Sequence, residues 1–287
     1  MNMRALLVTG LLLGGTSLAS GSIRPSEPFS EDASDAAIQL YEAATRNHDP
    51  GAMYQLGVAF DEGLGVTADP QKAFYWFRRA ALRGETEAMN RLGVLYAEGR
   101  GVQRDYASAL DWYRRAASHG SDNGISNLAT MYFYGFGVQQ SYEEAATLLS
   151  SALAHGDPDI QNKLATLYDE GLGVRQDHAR ARELFSEAAA QGYAPAMVNL
   201  GRLYAEGRGG KRDAVGGYAL IRAALAAGIP DSMSDITIGE LRNIANRLSD
   251  QQLARGKALS EELSAAIEAH QSSEAVTPEA GAPLAWE

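Results

Sequence analysis

Residues 88–120 read AMNRLGVLYAEGRGVQRDYASALDWYRRAASHG, and this stretch carries the pattern that decides the fold. Its paired glycines, Gly99 and Gly101, mark one point of a pattern with a period of 36 residues. The same Gly-x-Gly pair stands at 63/65, 135/137, 171/173 and 207/209. An internal period of about 20–50 residues is typical of solenoids and repeat arrays. The sequence therefore predicts five tandem units of one kind.

Several other residue columns keep this period and show what each unit contains. The leucine column holds Leu56, Leu92, Leu128, Leu164 and Leu200. The aromatic column holds Phe60, Tyr96, Tyr132, Tyr168 and Tyr204. The alanine column holds Ala80, Ala116, Ala152, Ala188 and Ala224. Apolar residues at i, i+3, i+4 and i+7 in residues 53–60, and again in 73–80, indicate two amphipathic helices in each unit.

Polar residues mark where the second helix of each unit begins. They are Asp69, Asp105, Ser141, Asp177 and Asp213. Side-chain oxygens of aspartate and serine accept hydrogen bonds from the free N–H groups of a first helical turn. We therefore expect these residues to be N-caps.

The repeated pattern is A-x-x-x-L-G-x-x-Y-x-x-G-x-G-V, followed by D-x-x-x-A-x-x-W-Y-x-x-A-A-x-x-G. It resembles the Sel1-like repeat (SLR) family of the tetratricopeptide-repeat superfamily, in the form of a bacterial exported member. Departures occur at Leu148, where the pattern has tryptophan, and at Gly210 and Gly217, which replace valine and alanine. The resemblance implies an all-α fold: a right-handed superhelical α-solenoid of helix-turn-helix repeats.

The repeat boundaries divide the chain into six segments. Residues 34–48 are predicted to form a leading helix, 49–228 the five 36-residue repeats, and 229–270 the C-terminal capping helices. Solenoids need terminal units with a polar outer face, which explains the two flanking segments. Residues 1–19 are predicted to be a signal peptide, 20–33 a linker and 271–287 a disordered tail.

The first 19 residues have the three parts of a secretory signal. Arg4 precedes a mostly apolar run, and Ser17 and Ala19 are the small residues expected before a cleavage site. The run is shorter than the roughly 20 residues that a membrane span requires. We therefore expect a periplasmic or secreted product with no transmembrane segment in the mature chain; an uncleaved anchor is the alternative.

Composition argues against several classes of function. The net charge is −11, whereas a nucleic-acid-binding protein needs a basic face. The chain has no cysteine, which removes thiol catalysis and thiolate metal sites. The five histidines do not have the spacing of a metal site, and the Gly-x-Gly pairs join helices rather than following a strand. We expect no catalytic residues, no cofactor and no metal.

A candidate binding face lies opposite the core side of the first helices. At about 100° per residue, positions 55, 58 and 62 point away from the core positions 53, 56, 57 and 60. In related repeats this face is the concave groove, as the resemblance implies. The predicted protein-binding residues are Asn90, Arg91, Asn127, Phe133, Tyr134, Asn162, Lys163 and Asn199. Amides can bond a peptide backbone, Arg91 and Lys163 can hold a carboxylate, and the aromatic pair can anchor a partner.

Two alternative readings of the surface stay open. The first is a generic polar face with no bound peptide. The second is a basic patch on the second helices, formed by Arg78, Arg79, Arg83, Arg114 and Arg115.

The sequence favours a non-enzymatic interaction scaffold in the bacterial envelope that binds a protein or peptide. A secreted factor that engages a host protein is the first alternative. An envelope hydrolase or carbohydrate-processing protein is the second, although no nucleophile is placed by any motif.

We predict that the exported protein begins at Ser20, because cleavage after Ala19 satisfies the small-residue rule. N-terminal sequencing of protein from the culture or periplasmic fraction measures this directly. A chain that starts at Met1 and stays in the cytosol would contradict the prediction.

Overall fold

A computed structural model describes residues 34–274, with side chains up to residue 269. The predicted signal peptide, and all of the predicted linker and tail except residues 271–274, lie outside the described residues. Within 34–274 the chain forms thirteen α-helices and one short 3₁₀ turn, and no strand. No helix in this part of the chain has both the length and the apolar character needed to cross a membrane.

The helices follow one another with short connections. Their bounds are α1 Asp35–Arg46, α2 Pro50–Glu62, α3 Pro70–Ala81, α4 Thr86–Glu98, α5 Tyr106–Ser118, α6 Asp122–Tyr134, α7 Tyr142–Ala152, α8 Pro158–Glu170, α9 His178–Ala190, α10 Ala194–Glu206, α11 Ala214–Ala227, α12 Asp231–Ala245 and α13 Asp250–Glu274. The 3₁₀ turn, Leu153–His155, follows α7.

The chain divides within α7, after Leu148, into two compact units. In residues 34–148, α1 packs on α2 and each helix packs on the next as far as α6. In residues 149–274, α8, α9, α10 and α11 pack in the same consecutive manner. The predicted all-α class of tandem helix pairs is therefore confirmed.

The loop between the two helices of a repeat has the same construction each time. The first glycine ends the first helix in the left-handed region, for example Gly99 at φ 74°. The backbone N–H of the N-cap Asp105 then donates to the carbonyl of Tyr96 at 2.9 Å, and its side chain accepts from the N–H groups of Ala107 and Ser108. The equivalent bonds recur in the other four repeats, which confirms the predicted N-caps.

The second glycine of the loop lies against the preceding repeat. Gly101 has φ 67°, and a Cβ there would run into the carbonyl of Pro70 at the start of α3. A Cβ at Gly65 would meet the side chain of Ser34, the N-cap of α1, and the backbone N–H of Ser34 donates to the carbonyl of Gly65 at 2.8 Å. The leading helix thus occupies the place of a second helix from a repeat before the first.

Small residues set the distance between the paired helices. The alanine column is fully buried, at 0% exposure for Ala80, Ala116, Ala152, Ala188 and Ala224. A Cβ at Gly57 would come within 2.6 Å of the Phe77 ring, and one at Gly93 within 2.5 Å of the Tyr113 ring. Close-packed interiors do not accommodate such overlap, so glycine lets the aromatic ring lie on the helix backbone.

One buried column was not predicted from the sequence. It holds Ala59, Leu95, Met131, Leu167 and Leu203, each 5% exposed or less. The neighbouring aromatic column is less buried than expected, because Phe60 is 2% exposed while its four tyrosine equivalents are only half-buried.

Two helices cover the end of the fifth repeat. Both α12 and α13 pack on α11. Helix α12 runs from Asp231 to Ala245 without a break. Ser249 and Gln252 form a reciprocal capping box at the start of α13. The predicted tail boundary at 270 falls inside α13, which runs to Glu274.

We predict that Gly101→Ala lowers the free energy of unfolding by about 2–5 kcal/mol. Left-handed backbone costs an L-residue roughly 1–2 kcal/mol, and the contact with Pro70 adds an overpacking cost of about 1–3 kcal/mol. Chemical denaturation followed by circular dichroism measures the change.

Gly120→Ala is the matched control, because Gly120 has φ 81° but no atom within 4 Å of an added Cβ. It should cost only the conformational part, about 1–2 kcal/mol. Equal destabilisation by the two substitutions would show that the contact between repeats carries no stability.

Candidate functional site

Five of the predicted binding residues lie in the unit formed by residues 34–148. The amide Nδ2 of Asn127 on α6 donates to Oδ1 of Asn90 on α4 at 2.9 Å. Arg91 lies 3.7 Å from Glu62, the last residue of α2. The side chains therefore link successive first helices, and half of each amide remains for a partner.

The remaining three predicted residues lie in residues 149–274 and form a second set. Asn199 Nδ2 donates to Oδ1 of Asn162 at 3.0 Å, which repeats the asparagine pair. Lys163 donates to Asp159 at 2.6 Å, and Tyr193 donates to the other oxygen of Asp159 at 2.9 Å. Like Arg91, Lys163 therefore already faces a carboxylate of its own chain.

Phe133 and Tyr134 belong to a larger group of rings, which we call the aromatic cluster: Tyr106, Phe133, Tyr134, Phe136 and Tyr142. Phe136 stacks on Tyr106 with ring centres 5.1 Å apart and on Tyr134 at 5.4 Å. Phe133 makes edge contacts with Tyr134 at 4.8 Å and with Tyr142 at 5.0 Å. Tyr134 is 45% exposed and Phe136 40%. The cluster presents apolar ring surface to solvent.

The repeat loop holds the cluster in place. Phe136 is the middle residue of the third Gly-x-Gly pair, and Gly137 lies so close to the backbone of Tyr106 that an added Cβ would come within 2.7 Å. This approach puts Phe136 on the Tyr106 ring. Gln140 donates to the carbonyl of Phe133 at 2.8 Å and to the hydroxyl of Tyr142 at 3.0 Å. The rings are therefore fixed before any partner arrives.

Repeats two and five carry ion pairs where repeat three carries these rings. In repeat two, Arg100 binds Glu98 at 2.7 Å and Asp61 of the preceding repeat at 2.8 Å. The equivalents of Glu98 and Arg100 in repeat three are Tyr134 and Phe136. Two positions of the shared loop are thus charged in repeat two and aromatic in repeat three.

Repeat five shows the same ion-pair arrangement. Arg208 lies 2.7 Å from both Glu206 and Asp169, and Asp169 also contacts His178 at 2.8 Å. Burial, followed by the charge of Asp169, raises the pKa of Glu170, and the nearby arginines oppose this rise. These groups are engaged with each other, which is typical of structural contacts between repeats.

The arginines of the second helices pack mainly against their own helices. Arg79 lies over the rings of Tyr75 and Trp76, at 5.5 and 5.2 Å, and Arg115 lies 4.6 Å over Trp112. Arg114 contacts Asp111 and the hydroxyl of Tyr132. Cation–π contacts of this kind cover apolar surface with charge. Among residues 34–274, no group of three or more histidine or acidic side chains is arranged to hold a metal ion.

Sequence reasoning found Phe133 and Tyr134 but missed Tyr106, Phe136 and Tyr142. Phe136 could have been found by comparing the middle residues of the five Gly-x-Gly pairs. The other four residues at this position are Leu64, Arg100, Leu172 and Arg208. Tyr106 and Tyr142 each follow an N-cap, and only the folded loops bring them to the same place.

A model of the Sel1 repeat matches residues 50–85, 86–121, 123–157, 158–193 and 194–229. These matches cover more than half of the chain, so the protein belongs to the Sel1 repeat family. Proteins of this family are generally non-enzymatic scaffolds that mediate protein–protein interaction.

Two solved structures share the fold. A protective antigen of uropathogenic Escherichia coli that displays an SLR fold is 25% identical, with a TM-score of 0.73 over 88% of this chain and 53% of that one. A Sel1 repeat protein from Oxalobacter formigenes is 27% identical, with a TM-score of 0.63 over 79% of this chain and 98% of that one. The present chain thus spans about half the length of the Escherichia coli protein. No curated protein matches the sequence.

We predict that the Asn90–Asn127 pair contributes about 0.5–1.5 kcal/mol of coupling energy, the range of an intramolecular hydrogen bond. A double-mutant cycle with Asn90→Ala, Asn127→Ala and the combined variant, measured by chemical denaturation, isolates this term. Strict additivity of the two substitutions would show that the amides contribute nothing to one another and are held only by their helices.

Proposed function

We propose that this protein is a non-enzymatic scaffold of the bacterial envelope that binds a protein or peptide partner on the face of its first helices, the face that the family places in the concave groove. The aromatic cluster of the third repeat is the main anchor. Asn90, Asn127 and Arg91 provide polar contacts in the same unit. Asn162, Lys163 and Asn199 provide a second set on the first helices of the other unit.

The observation that carries this proposal is the exposed, ordered aromatic surface of Tyr134 and Phe136. Aromatic side chains are enriched among the residues that contribute most to protein–protein binding. Their burial by a partner gains apolar area, and prior stacking lowers the entropy lost on binding. At the two equivalent positions, repeats two and five carry a glutamate–arginine pair, so the repeat fold itself does not require these rings.

The asparagine pairs suit recognition of an extended backbone. In the Asn90–Asn127 pair, Asn127 uses an N–H and Asn90 uses its carbonyl oxygen. The Nδ2 group of Asn90 and the Oδ1 of Asn127 make no side-chain bond to each other, so one donor and one acceptor face a partner. Because the pair is oriented by its own bond, it presents both groups at a fixed spacing.

The proposed export rests on the N-terminal sequence alone. The apolar run before Ala19 is the basis for placing the protein in the periplasm or outside the cell.

The test replaces the rings with the residues that repeats two and five carry at the same positions. We predict that Tyr134→Glu combined with Phe136→Arg leaves the chain folded, because Glu98 and Arg100 occupy these positions in repeat two. Loss of an aromatic anchor costs about 2 kcal/mol or more, roughly thirtyfold in affinity. Quantitative affinity capture from an envelope extract measures the loss.

Leu64→Arg provides the control. Leu64 holds the same loop position in the first repeat and is 56% exposed, and it does not belong to the aromatic cluster. This variant should retain the partners captured by the wild type. If the double variant stays folded and retains every partner, the aromatic cluster is not the binding site.

A further inference from the structure

A cavity of about 190 Å³ lies between α10, α11 and α12 in residues 149–274. Its floor is apolar and includes Ala205, Ile221 and Ile244. Three arginines, Arg202, Arg212 and Arg247, line its walls with two glutamates. It lies in the other unit from the aromatic cluster and was not predicted from the sequence.

The two glutamates of this cavity are already engaged. Glu240 on α12 accepts hydrogen bonds from Nε and from a terminal nitrogen of Arg202 on α10, at 3.1 and 3.2 Å. Glu206 lies 2.7 Å from Arg208. The fork-shaped pairing with Arg202 satisfies both oxygens of Glu240. The charge of Arg202 is therefore balanced by Glu240, and one oxygen of Glu206 is paired with Arg208.

Arg212 is held at a position where its terminal nitrogens stay free. Its Nε donates to the carbonyl of Ala205 at 2.9 Å. In repeats three and four, Gln140 and Gln176 make the equivalent bond, at 2.8 and 2.9 Å. A glutamine amide is sufficient for this anchor. Arginine performs the same task and adds two terminal nitrogens that make no ion pair within residues 34–274.

Arg247 adds a second positive charge at the cavity wall. It is exposed and makes no ion pair with any acid in the part of the chain that the structure describes. The guanidinium group stays charged at every physiological pH and binds carboxylates through paired N–H donors. The cavity is therefore lined by two cations that make no ion pair in the described part of the chain, together with apolar side chains, in a protein whose net charge is −11.

From this geometry we infer that the cavity is a binding site for the carboxylate of a glutamate side chain in an acidic segment of a peptide partner. The cavity has room for about six water molecules at roughly 30 Å³ each. Its volume is smaller than the roughly 300 Å³ at which small-ligand pockets begin. One side chain fits, with its methylene groups on Ile244 and its carboxylate on Arg212 and Arg247. The inference rests on the proposed protein-binding role but not on the aromatic cluster.

The direct test is a titration of the ¹⁵N-labelled full chain with the capped peptide Ac-Ala-Ala-Glu-Ala-Ala-NH₂, followed by amide chemical shifts. We expect saturable shifts confined to the loop of Arg212 and to α12 around Asn243 and Arg247. The glutamine version of the peptide, which has the same size without the charge, should bind at least about tenfold more weakly. Equal binding of the two peptides would overturn the inference.

Arg212→Gln is the decisive variant, because it keeps the anchor to Ala205 that Gln140 and Gln176 provide in their own repeats and removes only the free guanidinium. It should weaken binding of the glutamate peptide about tenfold while the denaturation midpoint stays unchanged. Arg247→Gln, on a separate helix, should weaken binding independently. Lys211→Gln removes one positive charge from the same exposed loop without lining the cavity, and should change affinity less than twofold.

The outcomes separate the ligand classes. If Arg212→Gln binds the peptide as the wild type does, or if Lys211→Gln weakens it equally, the site is wrong and only general charge attraction remains. Inorganic phosphate or succinate binding more tightly than the glutamate peptide would assign the cavity to a small anion instead and overturn the peptide assignment. Failure of this titration leaves partner capture through Tyr134 and Phe136 unaffected, so the two proposals fail separately.

Discussion

The structure depends on the close approach of a glycine backbone to the neighbouring repeat. In each loop that shows it, the second glycine of the Gly-x-Gly pair lies where any side chain would collide with the start of the preceding second helix, as Gly101 does at Pro70 and Gly209 does at His178. Positive φ and the absence of Cβ are both required there, so glycine alone satisfies the position. This approach sets how closely each such loop lies to the preceding second helix.

A loop of fixed construction leaves its outward residues free to vary. The middle residue of the pair does not affect the turn, and it is leucine, arginine or phenylalanine in different repeats. Where it is arginine, it joins acids of its own and the preceding repeat, as Arg100 does. Where it is Phe136, it completes an exposed stack of rings. One framework thus yields a structural ion pair in one repeat and a candidate binding surface in another.

The hydrogen bond from the loop side chain to a carbonyl of the preceding helix also recurs with different residues. Gln140 and Gln176 hold their loops with a neutral amide, whereas Arg212 holds its loop and carries a charge beyond it. In each unit, the candidate site contains a residue that occupies a fixed position of the repeat loop and also presents groups that the loop does not use. These residues are Phe136 and Arg212. Departures from the repeat pattern are therefore more informative about function than the pattern itself.

The sequence by itself determined the number of repeats, their helix pairs, their N-caps and the buried leucine and alanine columns, because these features depend on local periodicity and backbone conformation. It also placed Phe133 and Tyr134 on a surface. It did not show that Arg91 and Lys163 already face acids of their own chain, or that Asn127 bonds Asn90, since those contacts join residues about 30–40 positions apart or depend on rotamers. Only the tertiary structure brought Tyr106 beneath Phe136 and placed α12 beside Arg212, because packing between elements decides which side chains share a surface.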